Sequence, residues 1–127
     1  MQTTVHIVSF GYLHAAPPHA HLTLDLRHHF RDPHVSPDLR HMTAHDKPVR
    51  AAVLATPGIC PLVGSIASAV AAFAAGPSAG TVTVASGCAG GRHRAPTVAL
   101  ALAELLTDAG YAVTVLHRDL DKPVVQR

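Results

Sequence analysis

The chain has 127 residues, 48% of them apolar, and its 10 basic and 8 acidic side chains leave a net charge of +2 with histidine neutral. That length suits one domain spanning residues 1–127, and so small a charge gives no general ground for nucleic-acid binding. With 2 Tyr, 3 Phe and no Trp the core must be built from Ala, Val and Leu, and Cys60 and Cys88 offer no disulfide framework.

The first residues, Met1-Gln2-Thr3-Thr4-Val5, lack the basic and apolar regions of a secretion signal, so a cytoplasmic protein with reduced thiols is expected. Val5-His6-Ile7-Val8-Ser9-Phe10 is a β-branched run closed by Gly11, and residues 21–26 alternate as a half-buried strand does. Pro17-Pro18 forces a loop between them. Residues 28–48 are polar with no sustained period, which predicts a long ordered loop or short turns. A short helix is expected over Val49–Ala55, broken by Pro57-Gly58, and a small-residue helix over Cys60–Ala75. The apolar stretch from Ile59 to Ala75 is shorter than the roughly 20 residues a membrane span needs.

Thr81–Ala85 is the clearest strand and Ala95–Ala109 the clearest helix, with Pro96 in its first turn and Gly110 at its stop. Ala112–Leu116 supplies the next strand. Strand, glycine-rich turn, helix and strand make a βαβ unit, whose crossover is right-handed and parallel. The expected fold is α/β, with a mainly parallel or mixed sheet of about four strands and flanking helices.

Ligands of such folds bind beyond the carboxyl ends of the strands, where Gly87-Cys88-Ala89-Gly90-Gly91-Arg92-His93-Arg94 lies. Its glycines free the backbone to turn N–H groups towards one point, at the start of a helix whose dipole favours an anion. Arg92 and Arg94 offer forks suited to phosphate oxygens, with His93 as a further donor. The loop has no G-x-x-x-x-G-K-[ST] pattern, which argues against nucleotide hydrolysis.

Cys88 and Arg94 stand in the C-x5-R spacing of cysteine-dependent phosphatases, where a thiolate attacks phosphorus. Gly87 and Ala95 depart from the residues those enzymes carry, and no general-acid Asp is identifiable. Catalysis by Cys88 and Arg94 therefore stands as the alternative to a protein that binds without turnover. The histidines at 19, 21, 28, 29, 41 and 45 come with no HExxH and no cysteine partners, so no metal site and no cofactor is expected.

Four ordered motifs resemble the RapZ (YvcJ) family in its C-terminal domain. They are Ser9-Phe10-Gly11-Tyr12, Leu24-Asp25-Leu26-Arg27, the stretch from Pro37 to Val49 with the pattern P-x-L-R-x-x-T-x-x-D-x-P-V, and the glycine loop followed by His117-Arg118-Asp119-Leu120. In that family an N-terminal nucleotide-binding domain precedes this one; no residues matching it stand in this sequence, so no ATP or GTP site is expected here. The resemblance implies a C-terminal domain that binds glucosamine-6-phosphate as a sensor or adaptor, not an enzyme, and that assembles into homo-oligomers. It places the phosphate on Cys88, Ala89, Gly90, Gly91, Arg92, His93 and Arg94, with Ala89 replacing the family's threonine. It places a sugar-binding histidine at His34, and makes Arg27, Arg40, Asp46, His117 and Arg118 further candidates. Some members bind a small regulatory RNA through a basic tail; here two acids interleave residues 117–127, which predicts weak, salt-sensitive RNA binding.

Overall fold

The computed structural model describes residues 3–78 and 80–127. Four strands form one sheet: β1 (Thr4–Gly11), β2 (Leu22–Asp25), β3 (Val82–Cys88) and β4 (Ala112–His117). Their order is β2-β3-β1-β4 and every pairing is parallel. The helices are α1 (Lys47–Ala55), α2 (Ile59–Ala74) and α3 (Arg94–Asp108).

The topology follows from handedness. The crossovers from β2 to β3 through α1 and α2, and from β3 to β4 through α3, both advance in the same direction across the sheet. Right-handed connections therefore put all three helices on one face. The return from β1 to β2 runs the other way, and a loop without a helix makes it.

Along β1 the alternation Val5, Ile7, Ser9 is fully buried towards the helices, while His6 on the opposite face is exposed. Val84 on β3 faces the same core, and Val98, Leu102 and Leu106 of α3 close it at helical spacing with Val49, Val53, Ile59 and Val70 from the outer helices. Small side chains let α3 sit close to the sheet, and Ala95 and Ala99 are both at 0% exposure.

Among the described residues, no single helix is long and apolar enough to cross a membrane. Pro48 occupies the first turn of α1 and Gly58 takes a left-handed conformation (φ 92°) before α2, so the two helices meet at 84°. The polar stretch before α1 holds a short 3-10 turn at Pro33–Val35, capped by the Asp32 carboxylate accepting from the His34 N–H.

β3 runs to Cys88, beyond the β-branched run Thr81–Ala85. Ser86 and Gly87 carry weak strand preference, yet they pair with β1 on one side and β2 on the other. A Cβ on Gly87 would stand 2.3 Å from the Phe10 ring. Tertiary packing therefore overrides propensity at this strand end.

Candidate functional site

The parallel sheet delivers the end of β3 and the start of α3 to one edge of the molecule, and the end of β1 packs directly against the loop between them. A Cβ on Gly11 would lie 2.5 Å from the carbonyl carbon of Gly90, so only glycine permits that approach. Beyond β1, the Tyr12 N–H donates to Cys88 O at 2.9 Å and the Leu13 N–H to Ala89 O at 3.0 Å. Gly91 takes φ 76°, and a Cβ there would meet Gly11 N at 2.8 Å and Asp119 at 2.9 Å. The Ser9-Phe10-Gly11-Tyr12 motif thus supplies the floor on which the loop rests.

The loop's own backbone is unusual. Among the described residues, no protein acceptor takes the N–H groups of Gly90, Gly91, Arg92, His93 or Arg94. His93 is the N-cap of α3 and contributes no side-chain capping bond. Gly90, Gly91, His93 and Arg94 are buried. Buried N–H groups are nearly always paired, and a run of them at a helix N-terminus suits an anion.

The three cationic or basic side chains of the loop are bonded within the fold. Arg94 is 2% exposed. Its Nη1 donates to Leu26 O, Arg27 O and Phe30 O at 2.9–3.1 Å, and its Nη2 pairs with Asp32 at 3.2 Å. Arg92 donates to Lys122 O at 2.7 Å and His41 O at 3.0 Å. His93 donates through Nε2 to Met42 O at 2.8 Å and Leu39 O at 3.1 Å, while Arg92 O accepts from the Ala44 N–H. Cations at a helix N-terminus oppose its dipole, and here carbonyls and one carboxylate stabilise them. Burial pushes the His93 imidazole below its ordinary value despite the two carbonyls that favour its proton.

Cys88 is 2% exposed, and its sulfur accepts from the Ala95 N–H at 3.4 Å. Both terminal nitrogens of Arg94 are committed elsewhere and its buried Nε has no partner among the described residues, so the C-x5-R spacing does not leave the guanidinium fork free for a phosphate over this thiol. Ala89 is half-buried, its carbonyl engaged with Leu13.

Beside the loop lies a cavity of about 510 Å³ lined by His34, Val35, Arg40 and His41 on one side and Val124, Val125, Gln126 and Arg127 on the other. No Asp or Glu side chain is among these lining residues. Arg40 Nε donates to His34 O at 2.8 Å, and its terminal nitrogens have no partner among the described residues. Arg127 Nη1 pairs with Asp32 at 2.6 Å, and its Nη2 would be 3.8 Å from a Cβ on Gly90, which links the cavity to the loop. Burial works against the charge on Asp32, but the His34 N–H, Arg127 and Arg94 outweigh it and hold its carboxyl below the usual range. Burial and then Arg127 push the His34 imidazole down.

The remaining candidates from the sequence serve the frame. Arg27 pairs with Asp25 at 2.7 Å and lies over the Tyr12 ring, and Asp46 accepts from the Thr43 N–H. His117 bonds Ser9 Oγ at 2.7 Å, and Arg118 binds Ala15 O, Ala16 O and Asp119. Asp119 is fully buried, receives the Gly11 N–H at 2.7 Å and pairs with Lys122 at 2.6 Å. Although burial opposes its charge, Arg118, the Gly11 N–H and Lys122 hold its carboxyl at about 2. The sequence reading missed Asp32, Asp119 and Arg127; Asp119 stands inside the quoted motif His117-Arg118-Asp119-Leu120, Asp32 lies two residues before His34, and Arg127 has no local signal.

The family model of the RapZ C-terminal domain matches residues 3–121. A nucleotide-binding protein of Thermobifida fusca is 39% identical over 119 residues, which is 91% of this chain and 40% of that protein. One from Heliobacterium modesticaldum is 37% identical over 95% of this chain and 41% of its own length, and one from Limosilactobacillus fermentum is 35% identical over 93% and 42%. The chain spans about two fifths of the length of the curated relatives it matches. The motifs that build the loop, its floor and its flanking segments all fall within the matched residues, and the chain belongs to the family of the RapZ C-terminal domain.

Proposed function

We propose that this domain binds a phosphorylated metabolite, an amino-sugar phosphate such as glucosamine-6-phosphate, and acts as a sensor or adaptor without turning its ligand over. The observation that carries the reading is the run of N–H groups from Gly90 to Arg94 with no acceptor among the described residues, beside a cavity whose titratable side chains are all basic. The phosphate sits at the loop, and His34 and Arg40 face the rest of the molecule. A cavity of about 510 Å³ is of small-ligand size.

The full-length relatives carry the description nucleotide-binding. This loop has no lysine and no Walker pattern, so the reading for these residues is a phosphorylated sugar. Buried Cys88 and the internal bonding of Arg94 favour recognition over phosphatase chemistry. For RNA, the bases of the last segment are engaged within the fold: Arg118 and Lys122 with Asp119, and Arg127 with Asp32. That supports weak binding, lost as salt rises.

Thermal shift tests this, because a ligand that binds only the native state raises its melting temperature. Glucosamine-6-phosphate is expected to stabilise the wild type, and Gly90→Ala to abolish that stabilisation. Gly90 is suited to this role because a Cβ there meets only Arg127, at an ordinary 3.8 Å, so the fold tolerates it while the close approach of an anion is blocked. If neither glucosamine-6-phosphate, glucose-6-phosphate nor inorganic phosphate shifts the wild-type melt, the proposal is wrong.

A further inference from the structure

We infer that the segment Pro123–Arg127 is a strap that closes the anion cavity, and that Arg127 is a residue of the binding site. This rests on the phosphate-binding reading above and adds how the site opens and which cation completes it.

The strap is tied at its near end. Arg92 Nη1 donates to Lys122 O at 2.7 Å, and Lys122 Nζ pairs with Asp119 at 2.6 Å. From Pro123 onwards the backbone has no regular structure and, among the described residues, makes no hydrogen bond to the rest of the molecule. The far end is held through one side chain, by the 2.6 Å pair of Arg127 with Asp32. Between the two ties, Val124, Val125 and Gln126 form a wall of the cavity. A single partly exposed ion pair contributes little by itself, so the contact of Arg127 with Asp32 opens readily.

The charge pattern indicates what it closes on. Among the side chains there, Asp32 is shared by Arg94 and Arg127, and Arg40 has terminal nitrogens without a partner among the described residues, so basic side chains outnumber acidic ones about the pocket. A phosphate monoester carries roughly −1.5 to −2 at neutral pH, and an excess of basic side chains attracts it. Its arrival at the loop gives the Arg127 fork a second acceptor beside Asp32, so the strap is held more tightly with ligand than without.

The measurement is dissociation kinetics of glucosamine-6-phosphate from wild type, Arg127→Ala and Arg127→Lys, with hydrogen exchange of residues 124–126 alongside. Arg127→Ala is expected to release the ligand about tenfold or more faster while association changes little, and Arg127→Lys to recover part of the loss. Exchange at 124–126 is expected to slow when ligand binds wild type and to stay fast in Arg127→Ala. Binding by wild type with equal release from Arg127→Ala, or unchanged exchange on binding, overturns the strap and leaves the phosphate site standing. Failure of wild type to bind either glucosamine-6-phosphate or inorganic phosphate overturns both.

Discussion

Two carboxylate clusters flank the glycine loop with the same chemistry and different roles. Asp119 gathers Arg118, Lys122 and the Gly11 N–H, and its side chain is at 0% exposure. Asp32 gathers Arg94 and Arg127 and keeps 18% of its side chain accessible beside the cavity. The first cluster draws its charged partners from positions one before and three after the carboxylate, so little chain entropy is lost in assembling it. The second joins residues 32, 94 and 127, which only the folded chain brings together. A locked cluster holds the floor of the loop, whereas one whose partner sits on a loosely tied segment can respond to a ligand.

The sharpest way to break this comparison is Asp119→Ala. It leaves the buried Gly11 N–H without its acceptor and takes the carboxylate from Arg118 and Lys122, and stability is expected to fall by roughly 2–4 kcal/mol, read from the denaturant midpoint. A loss below about 1 kcal/mol would make the buried cluster no more than a surface pair.

Gly91→Ala comes next. The left-handed φ of 76° and the contact a Cβ would make at 2.8 Å with Gly11 N predict about 1–3 kcal/mol of destabilisation. Gly90→Ala, one residue away, is expected to stay within ~0.5 kcal/mol of wild type by the same assay.

Acid should act on the imidazoles before either carboxylate cluster. His93, His34 and His117 are all held below the ordinary histidine value, with burial the first cause in each. The fold prefers their neutral forms, so this stability is complete above about pH 6.5 and is lost as pH falls further. The Asp119 contribution is complete above the ordinary carboxylate range and lost as pH falls through about 2. Melting temperature is therefore expected to be level above neutrality and to drop first between pH 6.5 and the carboxylate range; a melt unchanged from pH 7 to 4 would remove the histidine part.

The smallest effect belongs to the strap. Arg127→Ala without ligand is expected to cost under about 1 kcal/mol, because the pair is partly exposed and ends a loosely tied segment. A loss as large as that of Asp119→Ala would show that the two clusters are equally structural.

Periodicity and punctuation alone determined the order and kind of every long element here. The β-branched run of β1, the apolar spacing of α3 with Pro96 inside its start and Gly110 past its end, and the glycine turn between β3 and α3 are local signals, because each reflects the dihedral preference or facing of neighbouring residues. Tertiary structure decided where the charges went. Arg92, His93 and Arg94 read as phosphate donors because a one-dimensional chain shows charge and no acceptor; in the fold the carbonyls of residues 26, 27, 30, 39, 41, 42 and 122 take them. On the proposed reading, an anion then meets the N–H groups of the loop together with Arg40 and Arg127, and the nearness of Arg127 to Gly90 arises from packing across most of the chain and has no trace in local sequence.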